Sequence, residues 1–181
     1  MNTSTVAARA ADVQGKVTTF DAVVIGAGVA GMYQLYRLRQ QGLNVVAIEA
    51  GSAVGGTWYW NRYPGARVDS QAYIYQYWFS EDLAKEWNWS ERFPAQPETE
   101  RWLNYVADRT DLRKYYCFDT RVTAAHYDEA GQQWRVETDR GDTVTARFLI
   151  CCAGMLSAPL SNIFEGQESF KGQIFHTARW P

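Results

Sequence analysis

A glycine-rich turn constrains the fold of this chain more than any other feature. It lies between an apolar run at 21–25, rich in β-branched residues as buried parallel strands are, and a helical pattern at 32–41. A second apolar run at 44–48 ends at Glu49, about twenty positions after the turn. Strand, glycine turn, helix and acid-tipped strand are the order of a dinucleotide-binding βαβ unit.

The residue types of the turn fit that interpretation. Gly26 can adopt the backbone angles of a tight turn, Gly28 carries no Cβ to hold a pyrophosphate away, and Gly31 lets the helix pack close to the strand. The helix directs its amide groups and positive dipole end at the phosphates. Glu49 can accept hydrogen bonds from ribose hydroxyls. The candidate dinucleotide-binding residues here are Gly26, Gly28, Ala30, Gly31 and Glu49, and the alternative is an ordinary βαβ turn that binds nothing.

Composition agrees with one soluble domain and excludes several functional classes. The chain has 181 residues and a net charge of -2, which gives no reason to expect a nucleic-acid or anionic membrane partner. No stretch approaches the roughly 20 apolar residues of a membrane span. Residues 1–19 lack the apolar centre of a signal peptide and predict a mobile tail.

The cysteines and histidines show no metal-binding pattern. Cys117, Cys151 and Cys152 lack metal spacing, and we interpret them as reduced core thiols of a cytoplasmic protein. His126 is isolated in a predicted strand and is expected to be structural. No metal site is predicted.

An aromatic loop follows Glu49. Gly55 and Gly56 introduce residues 57–65, which hold four aromatic residues in nine positions. Such rings can simply cap the core. Because the loop leaves the carboxyl end of a parallel strand, where ligands of open α/β folds bind, the sharper hypothesis is that the rings lie beside a flat cofactor.

The remaining pattern predicts helices and then an antiparallel meander. Residues 81–89 predict a polar helix with exposed Trp87 and Trp89, and 99–112 have the spacing of an amphipathic helix. Period-two alternation then predicts strands, with hairpin turns between them, at 118–122, 124–127, 134–138 and 144–152. The predicted fold class is α/β: a Rossmann-like parallel sheet with helices on both faces, plus an antiparallel β-meander of the kind that FAD-binding folds of the glutathione reductase type carry.

Two further motifs give the chain a family resemblance. Residues 55–69, GGTWYWNRYPGARVD, and residues 170–181, FKGQIFHTARWP, resemble the amino-terminal part of a Baeyer–Villiger monooxygenase, in particular the phenylacetone and steroid monooxygenase branch. The second motif matches that family's fingerprint FxGxxxHxxxWP at every fixed position, which here are Phe170, Gly172, His176, Trp180 and Pro181. The resemblance extends from about Phe20 to Pro181.

The resemblance implies two cofactors, FAD and NADPH, and a set of residues that contact them. It implies FAD contacts for the glycine turn and Glu49, and for positions in the loop and beyond: Gly56, Thr57, Trp58, Trp60, Arg67, Asp69, Tyr75 and Val122. It also implies that His176 acts in domain coupling and cofactor turnover rather than as a proton donor to substrate.

Asp69 is the candidate catalytic residue. In the family, reduced flavin and O2 give a C4a-peroxyflavin that attacks a small-molecule ketone, an arginine stabilises its charge, and an aspartate holds that arginine. The resemblance places this aspartate at Asp69. The simpler interpretation of Asp69 is a cap for a helix that begins near Ser70.

The resemblance also divides the chain and leaves alternatives open. It implies a tail at 1–19, an incomplete FAD-binding domain at 20–160 and a linker at 161–181 that carries the fingerprint towards an NADP domain. The family's second glycine motif and its active-site arginine have no counterpart in the sequence, so we expect an amino-terminal fragment that is inactive by itself. The alternatives to a ketone-oxidising parent are a flavin monooxygenase that oxygenates nitrogen or sulfur and a non-catalytic FAD-binding module. The sequence determines no oligomeric state.

Overall fold

One mixed sheet of six strands organises the protein. The computed structural model describes residues 18–160 and 164–181. Within these ranges the strand order is β3-β2-β1-β6-β5-β4. The strands are β1 Thr18–Ile25, β2 Val45–Ile48, β3 Tyr116–Cys117, β4 Val122–Asp128, β5 Gln133–Thr138 and β6 Thr143–Cys151. The α/β class predicted from the sequence is confirmed.

The start of β1 corrects one predicted boundary. Thr18 and Thr19 were assigned to the tail, but they pair with Val144 and Thr145 of β6. They therefore belong to the sheet, because a neighbouring strand far along the sequence supplies their hydrogen-bond partners. Residues 1–17 of the predicted tail and 161–163 of the predicted linker lie outside the described residues.

Four strands form the parallel half of the sheet. β1 lies at its centre, with Ala22 opposite Val45 of β2 and Phe148 of β6, and β2 pairs in turn with β3. The carboxyl ends of β1, β2 and β6 therefore lie side by side. In an open α/β sheet this edge is where ligands bind.

Helices cover one face of this sheet. They are α1 Val29–Gln40, α2 Thr57–Trp60, α3 Glu81–Glu86 and α4 Gln96–Arg109, and short 3-10 turns occur at Ala72–Tyr75, Arg113–Tyr115, Gln167–Ser169 and Thr177–Arg179. Met32 and Leu35 of α1 and Trp102 and Leu103 of α4 are buried in one core cluster with Ala22 and other strand residues. α4 starts at Gln96, three residues before the predicted start, with Pro97 in its first turn, where its missing N–H costs nothing.

A second core cluster lies on the opposite face of the sheet. It consists of strand residues among those the structure describes, including Val23, Val46, Val136, Val144 and Ala146. Val136 belongs to β5, and Val144 and Ala146 belong to β6, so strands of the meander supply this part of the core. Period-two patterns indicate which strands have a buried side, but they do not show whether a helix or a strand covers it.

The antiparallel meander is confirmed, with shifted ends. β5 pairs with β4 on one side and with β6 on the other, both antiparallel. The predicted strand at 118–122 is wrong as a unit, because β3 ends at Cys117 and β4 begins at Val122. Asp119 lies between them at a φ of 50°, a left-handed backbone angle that interrupts a strand.

Two tryptophans were predicted to be exposed and are not. Trp87 and Trp89 are half-buried and pack on Trp102, with ring centroids 5.3 and 5.7 Å from it. α3 ends at Glu86, so both residues lie in the extended segment that follows. This segment folds back over α4, which is a long-range contact that a local polar pattern does not indicate.

Candidate functional site: a glycine-lined cleft at the carboxyl edge of the sheet

A cleft of about 780 Å³ opens at the carboxyl ends of β1, β2 and β6. Its lining includes ten of the residues proposed from the sequence to bind a cofactor, namely Gly26, Gly28, Ala30, Glu49, Gly56, Thr57, Trp58, Trp60, Tyr75 and Val122. Three others, Gly31, Arg67 and Asp69, are not part of the lining. The topology therefore gathers segments that are up to about a hundred positions apart in the sequence.

The floor of the cleft is formed by two glycine loops in direct backbone contact. A Cβ on Gly56 would lie 2.6 Å from the Cα of Gly28, so only glycine fits there, and its φ of 53° also favours glycine. Gly26 has a φ of 104°, and a Cβ on it would lie 2.5 Å from the Cys152 carbonyl oxygen. The tight turn expected at Gly26 is present.

Gly31 acts through packing rather than as a cleft-lining residue. A Cβ at this position would collide with the carbonyl group of Gly26, whose carbon would lie only 2.9 Å away. Helix α1 therefore lies against the end of β1 at a distance that no other residue allows. This agrees with the close helix–strand packing predicted for Gly31.

The first turn of α1 faces the cleft without a cap of its own. Gly28 is the N-cap residue, and no side chain among the described residues caps this end by a hydrogen bond. Val29 and Ala30 of the first turn line the cleft. Backbone N–H groups at a helix N-terminus attract anions, through their hydrogen bonds and through the positive end of the helix dipole.

Glu49 is fixed by the backbone on both sides. One carboxylate oxygen accepts a hydrogen bond of 2.7 Å from the Ala27 N–H, and the other accepts one of 2.7 Å from the Gly51 N–H. The residue is 6% exposed. Glu49 therefore joins the glycine turn to the end of β2, a structural role that the sequence did not reveal. A carboxylate can still accept further hydrogen bonds on its remaining lone pairs.

Aromatic side chains form one wall of the cleft. Trp58 is buried and meets the ring of Tyr75 edge-on, with centroids 5.7 Å apart, whereas Trp60 is 41% exposed. Burial raises the pKa of Tyr75, and the nearby charge of Asp69 raises it further. A hydrogen bond with Trp58 acts in the opposite direction but does not cancel the effect of burial. The predicted loop is partly the one-turn helix α2. Trp58 both packs in the core and lines the cleft, so its role in core packing does not exclude a position beside a ligand.

Arg67 and Asp69 do not line the cleft. Arg67 forms a short pairing with Ala95, and its guanidinium group contacts the Glu91 carboxylate and the Phe93 carbonyl oxygen. Asp69 is exposed, and its charge acts on Tyr75. The helix expected near Ser70 is the 3-10 turn Ala72–Tyr75, which has no side-chain cap among the described residues.

The fingerprint segment reaches the cleft through residues that the sequence did not single out. Ala178 and Arg179 line the cleft, whereas none of the fixed fingerprint positions does. Nδ1 of His176 accepts a hydrogen bond from the Ala178 N–H at 3.1 Å, which caps the turn Thr177–Arg179. His176 thus holds the turn that carries Arg179. Arg121, next to Val122 at the start of β4, also lines the cleft and was likewise missed.

The cysteines agree only in part with their predicted surroundings. Cys151 is exposed, whereas Cys117 and Cys152 are half-buried, so the prediction of core thiols is wrong for Cys151. Cys151, the last residue of β6, and Cys152, which follows it, both line the cleft. Over residues 18–160 and 164–181, no three His, Cys, Asp or Glu side chains gather as metal ligands.

This fold and this turn place the protein in the class of α/β, Rossmann-like nucleotide-binding domains. The sequence model of the flavin-binding monooxygenase-like family matches residues 20–180. The chain belongs to that family. None of its helices in the described ranges is both long and apolar enough to span a membrane.

Similar proteins include several named monooxygenases. The chain is 62% identical over 164 residues to the acetone monooxygenase (methyl acetate-forming) of Gordonia sp. strain TY-5, a match that covers 91% of this chain and 31% of that enzyme. A phenazine N-monooxygenase of Lysobacter antibioticus is 43% identical over 165 residues, covering 91% of this chain and 30% of its own length. A structure of oxidized steroid monooxygenase bound to NADP superposes with a TM-score of 0.84 at 57% identity, covering 91% of this chain and 32% of that one. The chain thus spans a little under a third of the relatives it matches.

Proposed function

We propose that this chain is the FAD-binding part of a Baeyer–Villiger monooxygenase, which uses NADPH and O2 to convert a small-molecule ketone to an ester or lactone. The observation that carries the proposal is the glycine-lined cleft, which receives a turn of the fingerprint segment at Ala178 and Arg179. One relative is named an acetone monooxygenase that forms methyl acetate, which is a ketone-to-ester conversion. We place the protein in the cytoplasm, a location that the free thiols of Cys151 and Cys152 support.

The residues present fit a dinucleotide. The backbone contact between Gly28 and Gly56 brings the two glycine loops together beside the first turn of α1, where N–H groups without a side-chain cap face the cleft and can receive a pyrophosphate. Glu49 lies at the end of β2, where a ribose is bound in such folds. Trp58 and Tyr75 offer aromatic surface to an isoalloxazine ring, and Val122 and Arg121 also line the cleft.

FAD, once bound and reduced by NADPH, supplies the oxygen-activating chemistry. The contribution of this chain is to hold the cofactor and exclude water. Trp58 is 7% exposed and fixed between Tyr75 and the Gln96 side chain, whose amide donates to the Trp58 carbonyl oxygen at 2.5 Å. A wall fixed in this way keeps its shape when a cofactor enters, which reduces the entropy lost on binding.

Asp69 retains its proposed role of holding an arginine. It is exposed, so it is free to meet a positively charged partner, and its charge reaches the cleft-lining Tyr75. Arg67 is already engaged by Glu91, so the arginine that Asp69 holds is a different one. The proposed organisation is a tail that ends before β1, an FAD-binding domain that begins at Thr18 and ends at 160, and a linker at 161–181. In the linker, His176 fixes the turn Thr177–Arg179 and so couples the linker to the cleft.

The test is flavin retention by the purified protein. After incubation with FAD and removal of free flavin, we expect visible flavin bands that are lost in Gly28→Val and Glu49→Ala and kept in Gly65→Ala, a control outside the cleft with open space around it. In a protein extended to the length of its relatives, we expect ketone-stimulated NADPH consumption with the ester as product. A folded protein of either length that retains no flavin would contradict the proposal.

A second candidate is oxygenation of nitrogen. It is favoured by the 43% identity to a phenazine N-monooxygenase. Product analysis separates the two reactions, because a ketone substrate gains an oxygen between two carbons whereas an aromatic amine gains an N-oxide. An extended protein that forms only N-oxides would replace the ketone proposal by this one.

A further inference from the structure

A path of aromatic rings leads from the cleft into the core. Trp58 and Tyr75 both line the cleft, and their ring centroids lie 5.7 Å apart. The indole N–H of Trp102 donates a hydrogen bond of 2.8 Å to the Tyr75 carbonyl oxygen. Trp102 is 0% exposed, so this step of the path is shielded from water.

The path continues from Trp102 to the surface. The Trp87 ring lies 5.3 Å from the Trp102 ring, and the Tyr105 ring lies 5.4 Å from Trp87 and 6.1 Å from Trp102. These spacings are the usual ones for rings in contact. Tyr75 and Trp102 are joined by the hydrogen bond to the Tyr75 carbonyl oxygen, whereas the other steps are ring contacts. Since electron tunnelling slows steeply with distance, short steps through these contacts pass an electron far faster than a single jump over the whole path.

The outer end of the path has a proton acceptor. The Tyr105 hydroxyl group donates to a Glu86 carboxylate oxygen, and both oxygens of that carboxylate are also held by Arg109. Oxidised tyrosine is stable only after its phenolic proton leaves. A carboxylate in hydrogen-bond contact provides that exit, which makes Tyr105 a better resting place for a positive hole than any ring inside the core.

We propose that Trp58, Tyr75, Trp102, Trp87 and Tyr105, the aromatic relay, conduct an oxidising hole from the cofactor cleft to the protein surface at Glu86. This rests on the proposed function, because FAD is the oxidant. Light-excited oxidised FAD takes one electron from Trp58. Trp102 then donates an electron to Trp58 by way of Tyr75. Tyr105 donates an electron to Trp102, directly or through Trp87, and the phenolic proton of Tyr105 passes to Glu86. The products are FAD reduced by one electron and a neutral Tyr105 radical, and return of the electron and the proton restores the start.

The relay gives the flavin site an outlet. The hole that light-excited FAD leaves on Trp58 moves away from the cofactor and is held at half-buried Tyr105, whose hydroxyl group contacts the exposed Glu86 carboxylate. Packing alone accounts for the burial of Trp102. Packing does not explain why the aromatic side chains connect the cleft to Tyr105, a tyrosine that already has a proton acceptor in Glu86.

The test is transient absorption of the FAD-loaded protein after a light flash, together with flavin fluorescence. We expect a tyrosyl radical band in the unaltered protein. Tyr105→Phe, which deletes one oxygen and keeps the ring, should lose the tyrosyl band and leave a tryptophan radical. Trp102→Phe should lose the tyrosyl band while the flavin stays quenched, and Trp58→Phe should restore flavin fluorescence. Trp134→Phe is the matched control, because Trp134 packs on Tyr127 in the meander, outside the relay.

The possible outcomes separate the relay from the proposed function. A protein that binds FAD and shows an undiminished tyrosyl band in Tyr105→Phe, or an unchanged one in Trp102→Phe, overturns the relay and leaves the FAD-binding function intact. A protein that retains no FAD overturns both. Retention of FAD by each variant shows that the fold has survived the substitution.

Discussion

The glycine turn and the fingerprint segment are both short sequence motifs, but the structure treats them in opposite ways. The turn is fixed from every side, with its backbone against Gly56, Cys152 and the Glu49 carboxylate. In the fingerprint segment Phe170 is 60% exposed and Trp180 is 39% exposed. The glycine turn, which has fewer fixed residues than the fingerprint and is less specific as a sequence motif, is therefore the more tightly packed of the two in the structure. A motif's specificity measures how well it identifies a family, whereas its packing measures what the fold of this chain depends on.

The sharpest test of this difference is Gly31→Ala. The added methyl group collides with the backbone of Gly26, which cannot rotate away, so α1 must move off β1. We expect the free energy of unfolding in urea to fall by about 3 kcal/mol. Gly65→Ala is the control, because it has no neighbour within 4 Å, and its φ of 80°, a strain that Gly31 in helix α1 does not share, should cost about 1 kcal/mol. Equal losses for the two variants would show that the contact with Gly26 does not matter.

The next test removes the charge that joins the turn to β2. Glu49→Gln replaces one of two accepting oxygens by an N–H2 group that faces a backbone N–H, which leaves buried donors without an acceptor. We expect a loss of about 2 kcal/mol in unfolding free energy. Glu129→Gln, an exposed glutamate in the turn between β4 and β5, is the control and should change little. Stability equal to that of the unaltered protein would mean that the two hydrogen bonds contribute nothing.

The fingerprint should respond much less. We expect His176→Ala and Trp180→Ala each to change the unfolding free energy by no more than about 0.5 kcal/mol, because both side chains are exposed. Trp102→Ala, in the centre of the core, calibrates the assay with an expected loss of about 4 kcal/mol. If the two fingerprint variants unfolded as readily as the Trp102 variant, the comparison drawn above would be wrong.

The smallest expected effect concerns thiol reactivity at the end of β6. Burial raises the pKa of the Cys152 thiol, with a smaller contribution from Cys151, so at a given pH less of it is the reactive thiolate. We expect iodoacetamide to label exposed Cys151 first, and the labelling of Cys152 to rise only at higher pH, as measured by mass spectrometry of the peptide. Equal rates at every pH would contradict this order.

Local patterns predicted the elements of this fold and much of the cleft. The βαβ unit, the meander and ten cleft-lining residues follow from periodicity, from turn residues and from a family resemblance, all of which are encoded within short stretches. What was missed depends on contacts between distant stretches. Trp87 and Trp89 are half-buried only because their segment folds over Trp102, and the second core cluster joins residues of β1 and β2 to residues of the meander.

The cleft shows the same limit. Arg179 enters the lining from about 150 positions after the glycine turn, next to residues with which it shares no local pattern. Glu49 was predicted as a ligand-binding residue, and its two backbone partners become visible only once the turn is folded. Asp69 and Arg67 were placed by resemblance, which transfers a role without the geometry of this chain.

The pairing of β1 with β6 has a consequence for synthesis on the ribosome. β1 is the central strand, yet one of its two neighbours is made 126 residues later, as the register Thr18 to Val144 shows. At a typical rate of roughly 5 to 20 residues per second, one edge of β1 waits roughly 6 to 25 seconds for its partner. During that time the nascent chain exposes an apolar, unpaired edge strand, which is a site where chaperones bind and where chains aggregate. The delay makes the completion of this sheet a late event, set by translation rather than by the speed of folding.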